Sequence, residues 1–144
     1  MRINEQIKSL CSRLRLYTLP RLLESEVHLA QEQGKTHVEF LHDLLAREVQ
    51  ERDSKDLQRR LKAAALPARH NLDLFDHNYS QGITAPRLRD LRRLGWLEQN
   101  YNLILMGPSG TGKTFIAAGL VYEAVGQGYK AYMVTMEDAF TLPK

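Results

Sequence analysis

The sequence predicts an α/β protein in which a bundle of helices precedes the first part of a strand–loop–helix–strand unit. Three observations support this fold class. Apolar residues recur at helical spacing through residues 1–66. The period then changes, because NLILM at 102–106 is a short continuous apolar run, as in buried parallel strands. A second run, KAYMVT at 130–135, follows a predicted helix and completes the opening of a βαβ unit.

Residues 1–66 are predicted to form a helical N-terminal domain of three amphipathic helices. The apolar stripes are formed by Ile3, Ile7, Leu10, Cys11 and Leu14, then by Leu22, Leu23, Val27 and Ala30, and then by Phe40, Leu41, Leu44, Leu45 and Val49. The third helix begins at a capping box, in which Thr36 and Glu39 satisfy each other's backbone amides. It is expected to continue to about Ala65, and the stripes face one another in a small bundle.

Residues 67–101 are predicted to be a linker that contains one short basic helix. Turn-forming residues are scattered through 68–85, and Pro86 suits the first turn of a helix that runs through Leu94. This helix has an apolar face of Leu88, Leu91 and Leu94 and a basic face of Arg89, Arg92 and Arg93. The basic face either contacts DNA phosphates or is a solvated surface, and the sequence leaves both readings open.

The composition is typical of a globular protein from a reducing compartment. Hydrophobic residues make up 43% of the 144 residues and charged residues 26%, which allows a sizeable core. A single cysteine, Cys11, excludes an internal disulfide framework. No apolar run approaches the roughly 18 residues of a membrane span, and the N-terminus lacks the apolar region of a secretion signal. We therefore expect a cytoplasmic protein without a membrane partner.

Positive charge is concentrated in the first two thirds of the chain. Residues 1–95 contain 17 Lys and Arg against 13 Asp and Glu, a net charge of +4. Residues 96–144 contain 3 against 4, a net charge of −1. An excess of this size permits nucleic-acid binding without requiring it. Any DNA binding is expected to be non-specific and salt-dependent.

The segment GPSGTGKT at 107–114 matches the pattern G-x-x-x-x-G-K-[ST] in full. Glycines let the backbone wrap closely around a phosphate, where a β-carbon would obstruct the approach. The amides of residues 110–114 can then surround the phosphate at the positive end of the following helix. Lys113 supplies a full charge to the terminal phosphates, and the Thr114 hydroxyl is offered to Mg²⁺. The pattern predicts a loop that binds ATP and Mg²⁺.

The predicted nucleotide-binding residues extend one position beyond this pattern. They are Gly107, Pro108, Ser109, Gly110, Thr111, Gly112, Lys113, Thr114 and Phe115, with Thr114 as the metal ligand. Trp96 and Tyr101 flank the first predicted strand and can border the adenine, although packing against the sheet is the favoured role. The acidic pair Glu137–Asp138 is interpreted as a solvated helix start rather than a Mg²⁺ site.

The segment GPSGTGKTFIAAGL resembles the nucleotide-loop signature of the AAA+ superfamily of P-loop NTPases. The N-terminal MRINEQIKSLCSRLRLYTLPRLLESEV and the passage FDHNYSQGITAPRLRDLRRLGWLEQNYNLILMGPSGTGKT are similar to the IstB family, the helper ATPases of bacterial insertion-sequence transposition. The likeness extends over essentially all 144 residues. It implies an ATP-binding helper of DNA transposition that contacts DNA and a cognate transposase and self-associates.

The resemblance also implies that several catalytic motifs lie outside this sequence. In that family the Walker B carboxylates, the sensor residue and the arginine finger follow later strands, and residues 102–144 contain none of them. Residues 102–144 are therefore expected to be the incomplete, truncated start of a P-loop ATPase domain. Such a chain is expected to bind ATP without efficient hydrolysis, and no catalytic residue is assigned within it.

Three other functions stay open from the sequence. A replicative helicase loader of the related DnaC type has the same arrangement of helices and nucleotide loop. A P-loop kinase of a small substrate shares the loop, but the long helical region before the loop argues against it. An inactive truncated remnant is the third. Finding a transposase gene directly upstream would favour the transposition helper over the helicase loader.

Overall fold

The computed structural model describes residues 2–78 and 82–141, and the chain divides into two compact units, Met1–Asp56 and Leu57–Lys144. The regular elements of the described residues are helical. They are α1 (Ile3–Arg13), α2 (Leu19–Glu32), α3 (His37–Ala63), a 3₁₀ turn (Leu72–Leu74), α4 (Ala85–Arg92), α5 (Gly95–Glu98), α6 (Lys113–Gly126) and α7 (Met136–Ala139). The boundary between the two units falls within α3.

The first unit packs α1, α2 and the beginning of α3 around a small apolar core. The buried apolar residues of this core are Cys11, Leu19 and Leu44. Four partly buried residues pack against them, namely Ile7, Leu16, Leu23 and Phe40. The three helices predicted from apolar spacing are present, and the cysteine has the packing role that its place on the first stripe indicates.

The start of α3 is fixed by the predicted capping box. The Thr36 amide donates to Oε2 of Glu39 at 2.7 Å, and the Glu39 amide donates to Oγ1 of Thr36 at 3.2 Å. Because the carboxylate accepts a backbone hydrogen bond in the folded chain, the pKa of Glu39 lies below its ordinary value. The amides of Thr36 and Glu39 thus both find hydrogen-bond acceptors within the cap. Helix α3 therefore begins where the sequence predicts.

The N-terminus of α2 is capped by a residue of α3. Thr18, which precedes α2, makes no side-chain cap hydrogen bond of its own. Instead, the carboxylate of Glu48 accepts the amide of Thr18 at 2.9 Å and the amide of Leu19 at 2.7 Å. The Glu48 side chain is only 6% exposed, and Arg52 lies 3.8 Å from its other oxygen. A buried carboxylate is thus compensated by amides and a guanidinium, and it ties α2 to α3.

Helix α6 forms the centre of the second unit. Its buried residues Ile116, Leu120 and Ala124 recur every four positions and therefore share one face. They pack with Leu72 of the 3₁₀ turn and with Leu88 and Leu94 from the region of α4. The helix that follows the glycine-rich segment is therefore anchored from two sides, by the 3₁₀ turn and by α4.

The predicted strands are not formed, and the α/β fold class is wrong for this structure. Neither 102–106 nor 130–135 is a strand, and no strand occurs elsewhere in 2–78 or 82–141. The amide of Met133 donates instead to the carbonyl of Ala64 at 2.8 Å, just beyond α3. The strand–loop–helix–strand arrangement of a P-loop domain is therefore not seen in the described residues. Of the four predicted parts, the loop and the helix form.

The predicted strands do not form because an apolar run indicates only burial, whereas a strand also needs a hydrogen-bonded partner. Within 102–106, Leu105 packs against the core around α6. Ile104 and Met106, which alternate with it, are 77% and 87% exposed. Helix α6 and its neighbours thus cover one side of the run, and no second strand pairs with its backbone in the described residues. As for membranes, none of the described helices is both long and apolar enough to cross a bilayer.

Candidate functional site

The glycine loop, residues 107–112, joins an irregular segment to the N-terminus of α6. Residues 109–110 form a turn, and Gly112 is the N-cap of the helix, which begins at Lys113. Gly112 has a φ of 91°, a left-handed conformation that side chains disfavour. No side chain caps this helix end. The sequence thus places a glycine where the chain must turn sharply into the helix and leaves the helix end open.

A close neighbour also crowds the position of a side chain at residue 112. A β-carbon there would lie 3.1 Å from Cε2 of Phe75. The Phe75 ring stacks on the ring of Phe115, in the first turn of α6, with 6.0 Å between centroids and 24° between planes. The end of the glycine loop is therefore in contact with an aromatic residue of the linker.

Backbone amides at the start of α6 form the positive end of the candidate site. The first intrahelical hydrogen bond runs from the amide of Ile116 to the carbonyl of Gly112 at 2.9 Å. The amides of residues 113–115 precede this ladder and have no acceptor within the helix. Together with the helix dipole they favour a bound anion. Ser109, Gly110 and Thr114 are exposed, so an anion can reach the loop.

The ammonium group of Lys113 lies against the loop. Its Nζ donates to the carbonyl of Pro108 at 2.9 Å and also to the carbonyl of Gly107. The hydroxyl of Thr111 donates to the same Pro108 carbonyl at 2.8 Å. These neutral carbonyls hold the charge at the loop, and a phosphate would offer the ammonium a stronger, charged acceptor.

The structure brings the nine predicted site residues, 107–115, together at one helix end. Thr114 stands exposed in the first turn, where its hydroxyl can serve a cation held mainly by phosphate oxygens. No group of three His, Cys, Asp or Glu residues suited to a metal ion occurs in the part of the chain that the structure describes. Glu137 and Asp138 lie in the first turn of α7, whose N-cap Thr135 accepts the Asp138 amide at 3.1 Å. Their interpretation as a helix start is confirmed.

A cavity of about 360 Å³ opens beside the loop. It is lined by Pro67, Arg69, Leu74, Phe75, Asp76, Gly110, Thr111, Gly112, Thr114 and Phe115. The guanidinium carbon of Arg69 lies 5.8 Å from the centroid of the Phe115 ring. The sequence analysis assigns no role to Arg69, Leu74 or Phe75, because they lie in the predicted linker. The apolar residues of NLDLF at 71–75 could have indicated that this segment packs on α6.

Trp96 and Tyr101 lie away from the loop. They line a different cavity of about 400 Å³, to which no residue of 107–114 contributes. The indole Nε1 of Trp96 donates to the carbonyl of Leu91 at 2.9 Å, and the ring packs against the core around α6. Tyr101 is 64% exposed. Trp96 therefore has the packing role that the sequence favoured, although against helices rather than a sheet.

The basic helix α4 begins as predicted, with Pro86 in its first turn and the Thr84 hydroxyl accepting the amide of Arg87 at 3.4 Å. Its leucines face the core, where Leu88 is 3% exposed. Arg89 and Arg93 are exposed, and neither forms an ion pair with a described residue. These two arginines are therefore available to a partner.

Arg92 is engaged within the protein. Its Nη1 lies 2.6 Å from Oδ1 of Asp73, and its Nε donates to Oε1 of Glu123 at 2.7 Å. The hydrogen bond to Asp73, and then the one to Glu123, raise the pKa of the Arg92 guanidinium above its usual value. This side chain connects the 3₁₀ turn with α6. The structure thus separates Arg92 from Arg89 and Arg93, with which it was grouped on sequence.

Comparison with known proteins gives one family match over most of the chain. The model of the family described as IstB-like ATP binding protein matches residues 9–143. Among curated proteins, the chain is 51% identical over 140 residues to an insertion-sequence protein of Bacteroides fragilis whose name describes it as IS21-like and ATP-binding. A second protein so named, from strain YCH46 of that species, is 44% identical over 143 residues. The ATP-binding protein named for insertion sequence IS5376 of Geobacillus stearothermophilus is 31% identical over 136 residues.

These alignments cover nearly all of this chain but unequal parts of its relatives. They include 95%, 99% and 94% of the chain, respectively. The corresponding shares of the relatives are 53%, 72% and 54%. The chain thus spans about half the length of two of these curated relatives. The aligned part contains the helical N-terminal region, the linker and the glycine loop.

Proposed function

Because the chain belongs to the family of IstB-like ATP-binding proteins, we propose that it binds ATP with Mg²⁺ through residues 107–115. The observation that carries the proposal is the glycine loop that enters α6 with Lys113 held at the loop carbonyls. An exposed helix N-terminus, a left-handed glycine and a single ammonium group together suit a polyphosphate. The site offers amides for oxygen atoms and one full charge for the terminal phosphates.

Each residue has a distinct role in the proposed site. The backbone of 107–112 and the first-turn amides of α6 hold the phosphate chain. Lys113 exchanges the carbonyls of Gly107 and Pro108 for phosphate oxygens, because a charge-assisted hydrogen bond is the stronger one. Thr114 provides its hydroxyl to Mg²⁺, whose remaining ligands are phosphate oxygens and water. When bound, Mg²⁺ would neutralise part of the phosphate charge.

Titration with a fluorescent ATP analogue tests the binding proposal. Lys113→Ala is expected to weaken binding at least tenfold, since a hydrogen bond to a charged group contributes about 1.5–3 kcal/mol. Lys130→Ala removes an exposed lysine outside the loop and serves as the matched control. Equal affinities of the wild type and Lys113→Ala for the analogue would overturn the assignment.

The Mg²⁺ role is tested by the difference in affinity between magnesium and EDTA buffers. Thr114→Val keeps the shape of the side chain but removes the hydroxyl. The wild type should bind the analogue more tightly in magnesium, and the variant should lose most of that gain while its affinity in EDTA is unchanged. A magnesium gain of the same size in both proteins would contradict the role of Thr114.

We also propose that the chain acts as an ATP-binding helper in insertion-sequence transposition, in the cytoplasm. The names of its relatives, which place them in insertion sequences, support this function. The proposed partners are DNA, contacted without sequence preference, the cognate transposase, and further copies of the chain. Co-purification with a co-expressed cognate transposase, dependent on ATP and lost in Lys113→Ala, is the expected result. Capture of a replicative helicase instead would favour the helicase-loader alternative.

Residues 1–144 by themselves are proposed to hydrolyse ATP inefficiently. Phosphoryl transfer to water depends on an acidic or polar group that positions the water. Asp76, which lines the cavity beside the loop, accepts the amide of Asn78 at 2.9 Å. Glu123 is bonded to Arg92, and Glu137 and Asp138 lie at the start of α7. Phosphate release by the wild type should therefore match that of Lys113→Ala at saturating ATP. Turnover that depends on Lys113 would contradict this proposal.

A further inference from the structure

We propose that an exposed apolar face of the first unit binds a second copy of this chain, without the help of a nucleotide. The face consists of two rows of side chains, one on α1 and one on α3. The α1 row is Ile3, Leu10 and Leu14, and the α3 row is Val38, Leu41, Leu45 and Val49. The inference names a surface for the self-association in the proposed function and rests on that part of it.

Each row follows one side of its helix. Its members are three, four or seven positions apart, and residues at this spacing share one side of an α-helix. Their exposed fractions range from 45% for Leu45 to 77% for Val38. Single exposed leucines are common on protein surfaces, whereas rows of them at helical spacing resemble the contact face of a packed helix.

The two rows border each other. Arg52 continues the α3 row three residues after Val49, and its Nη2 donates to the carbonyl of Arg15 at 2.7 Å, directly after Leu14. This side of α3 therefore lies next to the end of α1. Helix α2 contacts a different side of α3, where Arg47 is 3.4 Å from Glu26. The α1 and α3 rows thus form one continuous face that α2 leaves uncovered.

The size of this face is that of a protein interface. Its residues together expose on the order of 700 Å², more than the roughly 300–600 Å² of the largest apolar patch on a typical monomer. A standard interface buries about 800 Å² on each partner. The core around Cys11 and Leu44 already buries the neighbouring sides of α1 and α3. An external partner is therefore the means by which these rows become buried.

The charges of the two helices favour a second copy as that partner. Residues 2–15 contain four Lys and Arg against one Glu, whereas residues 37–53 contain two Arg against five Asp and Glu. Arg13 borders the α1 row and Asp53 borders the α3 row, and neither forms an ion pair within the described residues. A two-fold pair of copies places α1 of each on α3 of the other and matches these charges twice. A foreign helix of one sign would match only half of the face.

Sedimentation velocity of the full chain, without nucleotide or DNA, tests the inference. The wild type should form a dimer as its concentration rises. Leu41→Gln combined with Leu45→Gln should raise the dimer dissociation constant at least about tenfold, because each copy then loses two apolar contacts. Leu10→Gln combined with Leu14→Gln should have a similar effect from the α1 row. A monomeric wild type, or a dimer that resists either double variant, would overturn the inference.

A matched control changes two exposed apolar residues of the second unit. Ile104 and Met106 are 77% and 87% exposed, and their joint replacement by glutamine should leave the dimer intact. Dissociation in this control as well would show that apolar exposure in general causes the association, and it would overturn the inference. If the double variants do not fold, the exposed Asp53→Lys replaces them. It should raise the dissociation constant about two- to fivefold by charge repulsion, and an unchanged value would overturn the pairing of α1 with α3.

A repeat of the measurement with ATP separates this inference from the proposed function. A wild type that is monomeric alone but assembles with ATP would overturn the dimer face and leave the proposed self-association standing. Absence of assembly under both conditions would overturn both. A wild type that stays monomeric and binds the transposase through the α3 row would assign the face to a foreign partner, and this result would also overturn the inference.

Discussion

Gly119 of α6 packs directly against Leu72 of the 3₁₀ turn. A β-carbon on Gly119 would lie 2.2 Å from Cγ of Leu72 and 2.4 Å from its Cδ2. Both residues are buried. Because no real β-carbon tolerates such distances, the leucine side chain rests on the bare helix backbone. This contact sets how closely the linker approaches the helix that follows the glycine loop.

Replacing Gly119 by alanine should therefore destabilise the protein, although alanine is the better helix former. We expect a loss of about 1–3 kcal/mol in the free energy of unfolding, as is usual for overpacking a core. Gly126→Ala, at the end of the same helix and with open space around it, should be neutral or stabilising by up to about 1 kcal/mol. Urea unfolding followed by circular dichroism measures both changes, and equal effects at the two positions would contradict the packing argument.

Arg92 should contribute to stability, whereas Arg93 should not. Arg92 donates to both Asp73 and Glu123, and its side chain is 30% exposed. Arg92→Ala leaves two carboxylates without their partner, so we expect a loss of about 1–2 kcal/mol. Arg93→Ala, at the exposed neighbouring position, should change stability by less than about 0.5 kcal/mol. Urea unfolding of the two variants measures both changes in the free energy of unfolding. If Arg92→Ala were as stable as the wild type, solvent would screen the ion pairs of Arg92 with Asp73 and Glu123.

The features that the sequence predicts correctly are formed by residues that lie close together in the chain. Thr36 and Glu39 lie three residues apart and complete a cap without help from the rest of the chain, so the start of α3 was predictable. A helix directly after the glycine loop was predictable for the same reason. In each case the residues that determine the structure are neighbours in sequence.

Long-range contacts account for what the sequence did not reveal. A strand at 102–106 needed a partner, and apolar residues alone do not specify one. The contacts of Phe75 with Gly112, of Leu72 with Gly119 and of Glu48 with α2 each join positions more than 25 residues apart. No spacing rule relates such pairs, so the contact of Phe75 with the glycine loop and the capping of α2 by Glu48 became visible only in the fold.

Glu48 should be the most sensitive charged residue of the first unit. Its carboxylate accepts the amides of Thr18 and Leu19 while nearly buried. Glu48→Ala leaves both amides without this acceptor, so we expect the free energy of unfolding to fall by about 2–3 kcal/mol. Glu51→Ala, one turn away, removes an exposed carboxylate 3.9 Å from Arg21 and should cost at most about 1 kcal/mol. Thermal unfolding of the two variants provides the comparison, and similar melting temperatures would exclude the capping role.

Stability near acid pH should depend on Glu39. Hydrogen bonding to Thr36 lowers the pKa of this carboxyl in the folded chain. Its contribution is therefore fully present above the ordinary pKa of about 4.3 and is lost as the pH falls through the lower folded value. Glu39→Gln should melt below the wild type at neutral pH, and this gap should close toward about pH 2. Glu24→Gln controls for the loss of one negative charge, and a gap that is independent of pH would contradict the prediction.

The proposed DNA contact should involve Arg89 and Arg93 but not Arg92. The first two are exposed on α4 without ion pairs to described residues, whereas Arg92 is held by Asp73 and Glu123. Each phosphate contact contributes about 0.9 to the slope of log affinity against log salt concentration. Replacing Arg89 and Arg93 together by alanine should therefore reduce the slope by about 2. Arg92→Gln should leave it unchanged, as should Arg13→Ala on the exposed surface of α1. Fluorescence anisotropy with a labelled random duplex measures the slope. If the Arg89 and Arg93 variant kept the wild-type slope, α4 would not face DNA.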